Sequence, residues 1–250
     1  MSLEHEYIYG IIGKPEPWAL SCLGVEGVEV YTISHRDLAA VVSDTALEEI
    51  DPTRKDVRAH AVVQDEVMKN CVLLPMGFGM IADSRDDVLK LLEKNYQGLS
   101  RELVRLAGKV EVELKVYWDQ EAMIRQLQGG SEELTRLKAK IRGASSTVET
   151  QRLLIEAGKL VERIALDWKA RYADRVYTDL KRSSIDARLN SPMGVKNVLN
   201  ASFLVERDRE SDFREEVFKL DSQYQGKVNF KYVGPLAPYS FVNVKLEPVN

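Results

Sequence analysis

The sequence predicts an α+β protein of two domains, both resembling ferredoxin-like split βαβ units, joined through a long amphipathic helix. Three observations lead there. Runs with strand alternation and runs with helical spacing are mixed, without the regular βαβα order of a doubly wound sheet. The stretch from Ser145 to Leu189 contains no proline and carries apolar residues at helical spacing. Beyond it the strand–helix theme starts again. A length of 250 residues with 44% hydrophobic content supports two modest cores. The expected division is an N-terminal α+β domain over 1–120 and a C-terminal α+β domain over 121–250, which includes the long helix at about 147–188.

In chain order, Glu6 to Gly13 (EYIYGIIG) is aromatic and β-branched and ends at glycine and proline, which predicts a strand. KPEPWALSCLG is a turn-rich connection with room for one helical turn. VEVYTISH and DLAAVVSD are two extended runs across a short polar break, a hairpin pattern. Asp51 as N-cap and Pro52 at the first helical position open the next helix. CVLLP is a short apolar strand, in which Pro75 should stop ladder pairing. Gly77 and Gly79 should let the chain turn back toward the following helix.

That helix is capped by Ser84, carries a stripe from Val88 to Leu106, and stops at Gly108. KVEVELKVYWD alternates cleanly and predicts a strand. QEAMIRQLQGG and SEELTRLKAKIRG are short helical pieces broken by Gly129, Gly130 and Gly143. Ser146 and Glu149 form a capping box for the long helix. Its expected buried stripe is Leu154, Val161, Ala165, Trp168, Tyr172, Val176 and Leu180, with a solvated basic face opposite. VKNVLNASFLVERD predicts a strand, and SDFREEVFKLDSQYQG a helix capped by Ser211. KVNFKYV and the run after the Gly/Pro break predict two final extended segments.

Composition excludes several classes of function. The net charge of -4 offers no basic excess for nucleic acid. No apolar run reaches membrane-span length, and the N-terminus lacks the pattern of a signal peptide, so a cytoplasmic protein is expected. Cys22 and Cys71 are too few for a disulfide framework. His5, His35 and His60 lack metal-ligand spacing. The glycines of LLPMGFGM invite a phosphate-loop reading, which fails because no Lys-Ser/Thr follows and no helix opens at the third glycine position. A catalytic reading would have to start from His60 with Asp65 or Glu66, and no nucleophile is suggested beside them. No cofactor is implied. The balance favours a binding or assembly protein.

Five segments in order, YIYGI, RAHAVVQDEVM with His60, LLPMGFGM, VEVELKVYWD and GPLAPYSFV, resemble the gas vesicle protein F/L family (GvpF/GvpL) across nearly the whole chain. The resemblance implies a non-enzymatic accessory protein for building gas vesicles. It also implies two α+β domains, the C-terminal one ferredoxin-like, a location at the gas vesicle, and contacts with the major shell protein and other gas vesicle accessory proteins. One departure stands out: the family commonly reads Leu-Pro-x-Arg-Phe-Gly, and Gly77 stands where that arginine is usual. A role needing a cation there does not carry over. The partner is expected to be small, apolar and aggregation-prone, so a factor must cover its apolar surface or strand edges until incorporation. Pro75, Phe78 and Gly79 in the first glycine segment, with Pro235, Pro238, Tyr239 and Phe241 near the C-terminus, are the candidate contacts. The competing possibility for Phe241 is an ordinary core position. The alternative function is a small-molecule-binding regulatory protein, with its cleft near Phe78 and the loop after Asp44.

Overall fold

The structure, a computed structural model, describes residues 5–13, 22–119, 121–125, 131–192, 194, 196–224 and 226–247. The connection expected over KPEPWALSCLG and the breaks at Gly129 and Gly130 fall largely or wholly outside these residues. The fold is α+β with two antiparallel sheets and one long helix, as the sequence predicts.

The described residues fall into two compact units. The first comprises 1–111, 206–208 and 234–250, and the second 112–205 and 209–233.

The first sheet is built from β1 (His5–Gly13), β2 (Val30–His35), β3 (Leu38–Thr45), β4 (Leu73–Pro75) and β5 (Ile81–Ala82). Its order is β2-β3-β1-β4, with β5 also paired to β1. β1 is central and is buried on both faces, with Tyr7, Ile8, Tyr9, Ile11 and Ile12 all at 1% exposure or less. That burial explains why its sequence reads as a continuous apolar run instead of an alternation. The β2–β3 hairpin turns at Arg36, which takes a positive φ of 55°.

α1 (Arg54–Met68) packs on β1 and β4. Its N-cap is Thr53, not Asp51. The Thr53 hydroxyl accepts from the Asp56 backbone N–H at 3.2 Å and donates to the Asp56 carboxylate at 2.5 Å. The first of these bonds satisfies one of the otherwise unpaired N–H groups of the first turn. The helix expected from Ser84 to Gly108 is two helices, α2 (Arg85–Lys94) and α3 (Tyr96–Leu106). Ser84 does cap the first, accepting from Asp87 N–H at 3.3 Å. The break falls at Asn95, whose side chain bonds to Leu91 O and to the C-terminal segment instead of continuing the helical surface.

The second sheet, in the order β7-β8-β6-β9, contains β6 (Lys109–Trp118), β7 (Asp186–Leu189), β8 (Asn197–Glu206) and β9 (Val228–Leu236). Its helices are α4 (Glu132–Arg142), α5 (Thr147–Arg182) and α6 (Glu210–Gln223). Counted from β6, the strand order is second-third-first-fourth, the ferredoxin-like arrangement. The first sheet repeats that order with β1 to β4.

α5 ends at Arg182 and not near 188, because the chain straightens into β7, where Ile185 N–H reaches Leu204 O at 2.8 Å. Its buried stripe is displaced by one residue at the start. Leu153 and Leu160 pack with Leu134 and Leu137 of α4, while Leu154 is 54% exposed. Farther along, Val176 and Leu180 are buried as expected. α6 begins at Glu210 and takes no side-chain cap, so Ser211 is not its N-cap. The run after the Gly/Pro break is not a strand. It forms a short 3-10 turn, Tyr239–Phe241, followed by irregular chain.

Candidate functional site

The site is the loop between β4 and β5, with the side chains that close on it. Both strands pair with β1, but in different registers. Gly10 faces Pro75 and Leu73 faces Ile12, while Tyr7 faces Ile81 and Glu6 faces Ala82. Residues 76–80 therefore stand opposite only Ile8 and Tyr9. The ends of the loop stay bonded to β1, through Met76 N–H to Tyr9 O at 3.0 Å and Ile8 N–H to Met80 O at 2.8 Å. Gly77, Phe78 and Gly79 are the surplus and bulge outward. The chain does not turn back after Pro75. It leaves the edge of the sheet and rejoins it. Pro75 is compatible with ladder pairing because β4 lies at the sheet edge. Gly79 sits at a positive φ of 84°, which a side chain disfavours.

Beneath the bulge lies a buried polar cluster. Tyr7 and Tyr9, two apart on β1, and His60 and Gln64, four apart on α1, are brought together by the two periodicities. The Tyr7 hydroxyl lies 2.8 Å from His60 Nδ1 and accepts from Gly79 N–H at 3.1 Å. His60 Nε2 is 3.1 Å from Met76 O and 3.2 Å from the Tyr239 hydroxyl. The Gln64 amide donates to Tyr9 O at 2.8 Å and to Met76 O at 3.1 Å. The Tyr239 hydroxyl bonds to Gln64 Oε1 and lies 3.1 Å from Met76 O. Phe78 folds back over this cluster, edge-on to Tyr7 at 6.0 Å and to His60 at 5.8 Å.

Electrostatics keep the cluster neutral. Burial pushes the His60 pKa down, and the Met76 carbonyl opposes this only in part. Burial raises Tyr7 well above the ordinary phenol value, and lifts Tyr239 to about 12. A neutral imidazole between two un-ionised phenols makes a hydrogen-bonded brace under the loop. Among the described residues no group of three or more His, Cys, Asp or Glu side chains is arranged to hold a metal ion. A cavity of about 260 Å³ in the same unit is lined by the end of α1 with Lys109, Arg207 and Pro238, and Phe78 is not part of its lining. Its position beside the carbonyl end of a helix offsets the cations around it.

The structure brings Phe78, Gly79 and Tyr239 together, although Phe78 and Tyr239 are far apart in sequence. Phe78 is half-buried, Gly79 and Pro235 are exposed, and Tyr239 keeps 44% of its surface exposed while its hydroxyl points inward. Pro75, Pro238 and Phe241 are buried, Phe241 completely. Tyr7 and Gln64 were not among the candidates read from the sequence. The i, i+4 pair His60–Gln64 on one helix face was the signal that could have found Gln64. Tyr7 looked like any other residue of a buried strand.

Residues 6–243 match the model of the family described as gas vesicle synthesis protein GvpL/GvpF. Gas vesicle protein F of a Streptomyces species (strain CB03234) is 33% identical over 239 residues, covering 94% of this chain and 98% of that protein. Gas vesicle protein L of the same strain is 32% identical over 271 residues, covering 98% and 95%. Among solved structures, the crystal structure of GvpF from Microcystis aeruginosa superposes with a TM-score of 0.78 at 24% identity, covering 96% of this chain and all of that one. That likeness shows the shared fold.

Proposed function

Because this chain belongs to the GvpL/GvpF family of gas vesicle synthesis proteins, we propose that it is an accessory factor for gas vesicle assembly that binds the major shell protein and other gas vesicle proteins. The family match along 6–243 carries this reading, since it runs through both compact units and is not confined to one module. The protein would act at the gas vesicle, from the cytoplasm. No helix among the described residues is long and apolar enough to cross a membrane.

The surface we assign to the shell protein is the aromatic edge made by Phe78 and Tyr239. Gly79 gives close backbone access beside it, and Pro235 is exposed farther along the same C-terminal segment. Half-exposed rings on a braced loop provide apolar contact area without needing to be ordered on binding. The buried Pro75, Pro238 and Phe241 would support this surface from below.

The test is co-expression of the tagged chain with the major shell protein, followed by pull-down. The shell protein should be recovered with the wild type, and recovery should fall several-fold with Phe78→Ala, whose fold is checked by circular dichroism. Repeated recovery of the wild-type chain alone would overturn the proposal.

A further inference from the structure

The cavity of about 260 Å³ beside the end of α1 is lined wholly by residues of the first unit. Its chemistry is uneven. Met68, Leu73 and Pro238 are buried and supply an apolar base. Lys69 and Arg207 are exposed and Lys109 is half-buried, and these three cations line the same space. No Asp or Glu side chain belongs to that lining. Cys71, a half-buried free thiol, stands among them.

The charges decide what such a space can hold. Lys69 is already paired with Glu66, Nζ to Oε2 at 2.5 Å. Lys109 Nζ gives one N–H to Ala107 O at 3.3 Å, which leaves two of its three donors. The Arg207 backbone N–H is fixed to Gly108 O at 2.8 Å, while among the described residues its guanidinium has no hydrogen-bond or ion-pair partner. Two features oppose these cations. Glu206 lies outside the lining but near Gly108, where a Cβ would stand 3.8 Å from its Oε2. The carbonyl end of α1 carries about half a negative charge. Its carbonyls at 66 and 67 already accept the N–H groups of Lys69, Asn70 and Cys71 at 3.3, 3.1 and 3.0 Å. Lys109 and Arg207 therefore outweigh the helix end and the one carboxylate at the margin. Exposed cations alone hold an ion weakly, so affinity here needs a ligand that also fills the apolar base.

We propose that this cavity binds a small organic anion, a carboxylate or phosphate on a short aliphatic body, with Arg207 and Lys109 on the headgroup and Met68, Leu73 and Pro238 against the body. The planar guanidinium takes either headgroup through two parallel hydrogen bonds. The volume lies just below the roughly 300–1,000 Å³ of sites for drug-sized molecules, which keeps the body short. The site goes beyond shell-protein binding and holds or fails independently of it.

The test uses the full-length chain with hexanoate and hexyl phosphate as probes. Hexylammonium is the cationic control, and inorganic phosphate is the headgroup alone. The organic anions should raise the thermal midpoint saturably up to roughly 10 mM, ten times a millimolar dissociation constant. Alkylation of Cys71 by iodoacetamide, read by peptide mass spectrometry, should slow several-fold over the same range, while Cys22, outside the lining, keeps its rate. A response to one organic anion and not the other supports the site and names its headgroup. Arg207→Gln removes an exposed side chain with no internal partner, so the variant should fold normally and lose most of both effects. No saturable shift with either organic anion would overturn the proposal. So would an equal shift with hexylammonium or with inorganic phosphate, equal slowing at both cysteines, or effects that survive Arg207→Gln. A Cys71 that iodoacetamide never reaches in the free protein would show a cavity closed to ligands and would overturn it as well.

Discussion

Gly10 shows how tightly single residues constrain the first unit. A Cβ there would stand 2.4 Å from Leu73 Cδ1 and 2.7 Å from Leu74 O, and the carbonyl cannot step aside without breaking the β1–β4 pairing. Gly10→Ala should therefore destabilise the fold by about 1–3 kcal/mol or more in denaturant titration. A neutral result would mean that β4 can move away. Gly77 is the opposite case, since nothing lies within 4 Å of its would-be Cβ. Gly77→Arg, which restores the family's usual residue, should change stability by no more than about 0.5 kcal/mol. It thus isolates any effect of that cation on shell-protein recovery. His60 supplies a pH signature. Its folded pKa is held below the ordinary 6.5 by burial, so the unfolded chain takes up the proton first. Its contribution to stability is complete above pH 6.5 and is lost as pH falls below that value toward the folded pKa. His60→Gln should flatten the dependence of thermal midpoint on pH in this window, and an unchanged slope would show that the brace is not the titrating element.

At the scale of elements, periodicity was legible and competition for backbone partners was not. The β2–β3 hairpin, β6 and the Ser146 N-cap of α5 follow from alternation, turn position and the Ser146–Glu149 spacing, although the Glu149 carboxylate accepts from Ser145 and not from the Ser146 N–H that a full capping box would use. The bulge at 77–79 does not, because it exists only through two registers against β1, a strand far away in sequence. The glycines marked irregular backbone, but whether the chain turned or bulged depended on what β5 paired with. The stripe of the long helix is displaced by one residue, from Leu154 to Leu153, for a related reason. Its first half packs on α4, while Tyr172 and Tyr177 in its second half meet Trp118 of β6 and Phe203 of β8, so no single stripe describes both. The α4–α5 pair rests on a small cluster of Leu134, Leu137, Leu153 and Leu160. Leu160→Ala should cost about 2–5 kcal/mol locally. Hydrogen exchange should quicken in α4 and the first half of α5 while β8 stays protected. Uniform loss of protection would show that the helical pair is not a separate cooperative element.

For the whole molecule, the strand order that makes both sheets ferredoxin-like could be anticipated from the repeated strand–helix theme. Compactness does not follow chain order. Residues 234–250 come last in sequence yet belong to the unit that begins at the N-terminus. Hydrophobic periodicity says nothing about this, because the segment is short, broken by prolines and, over 237–247, has no regular structure beyond one 3-10 turn. The deciding features are buried polar residues, Glu102, Glu111 and Asn95, whose partners lie more than a hundred residues away in sequence. Phe241 is the fully buried aromatic residue of that segment, so its truncation should report which unit it serves. Phe241→Ala should cost about 3–5 kcal/mol, the range for deleting a buried aromatic ring. The loss should appear as faster amide exchange in β1, β3 and α3, while α6 and β8 keep their protection. If α6 and β8 lose protection first, the C-terminal segment would be holding the second unit instead, and the assignment of 234–250 to the first would fail.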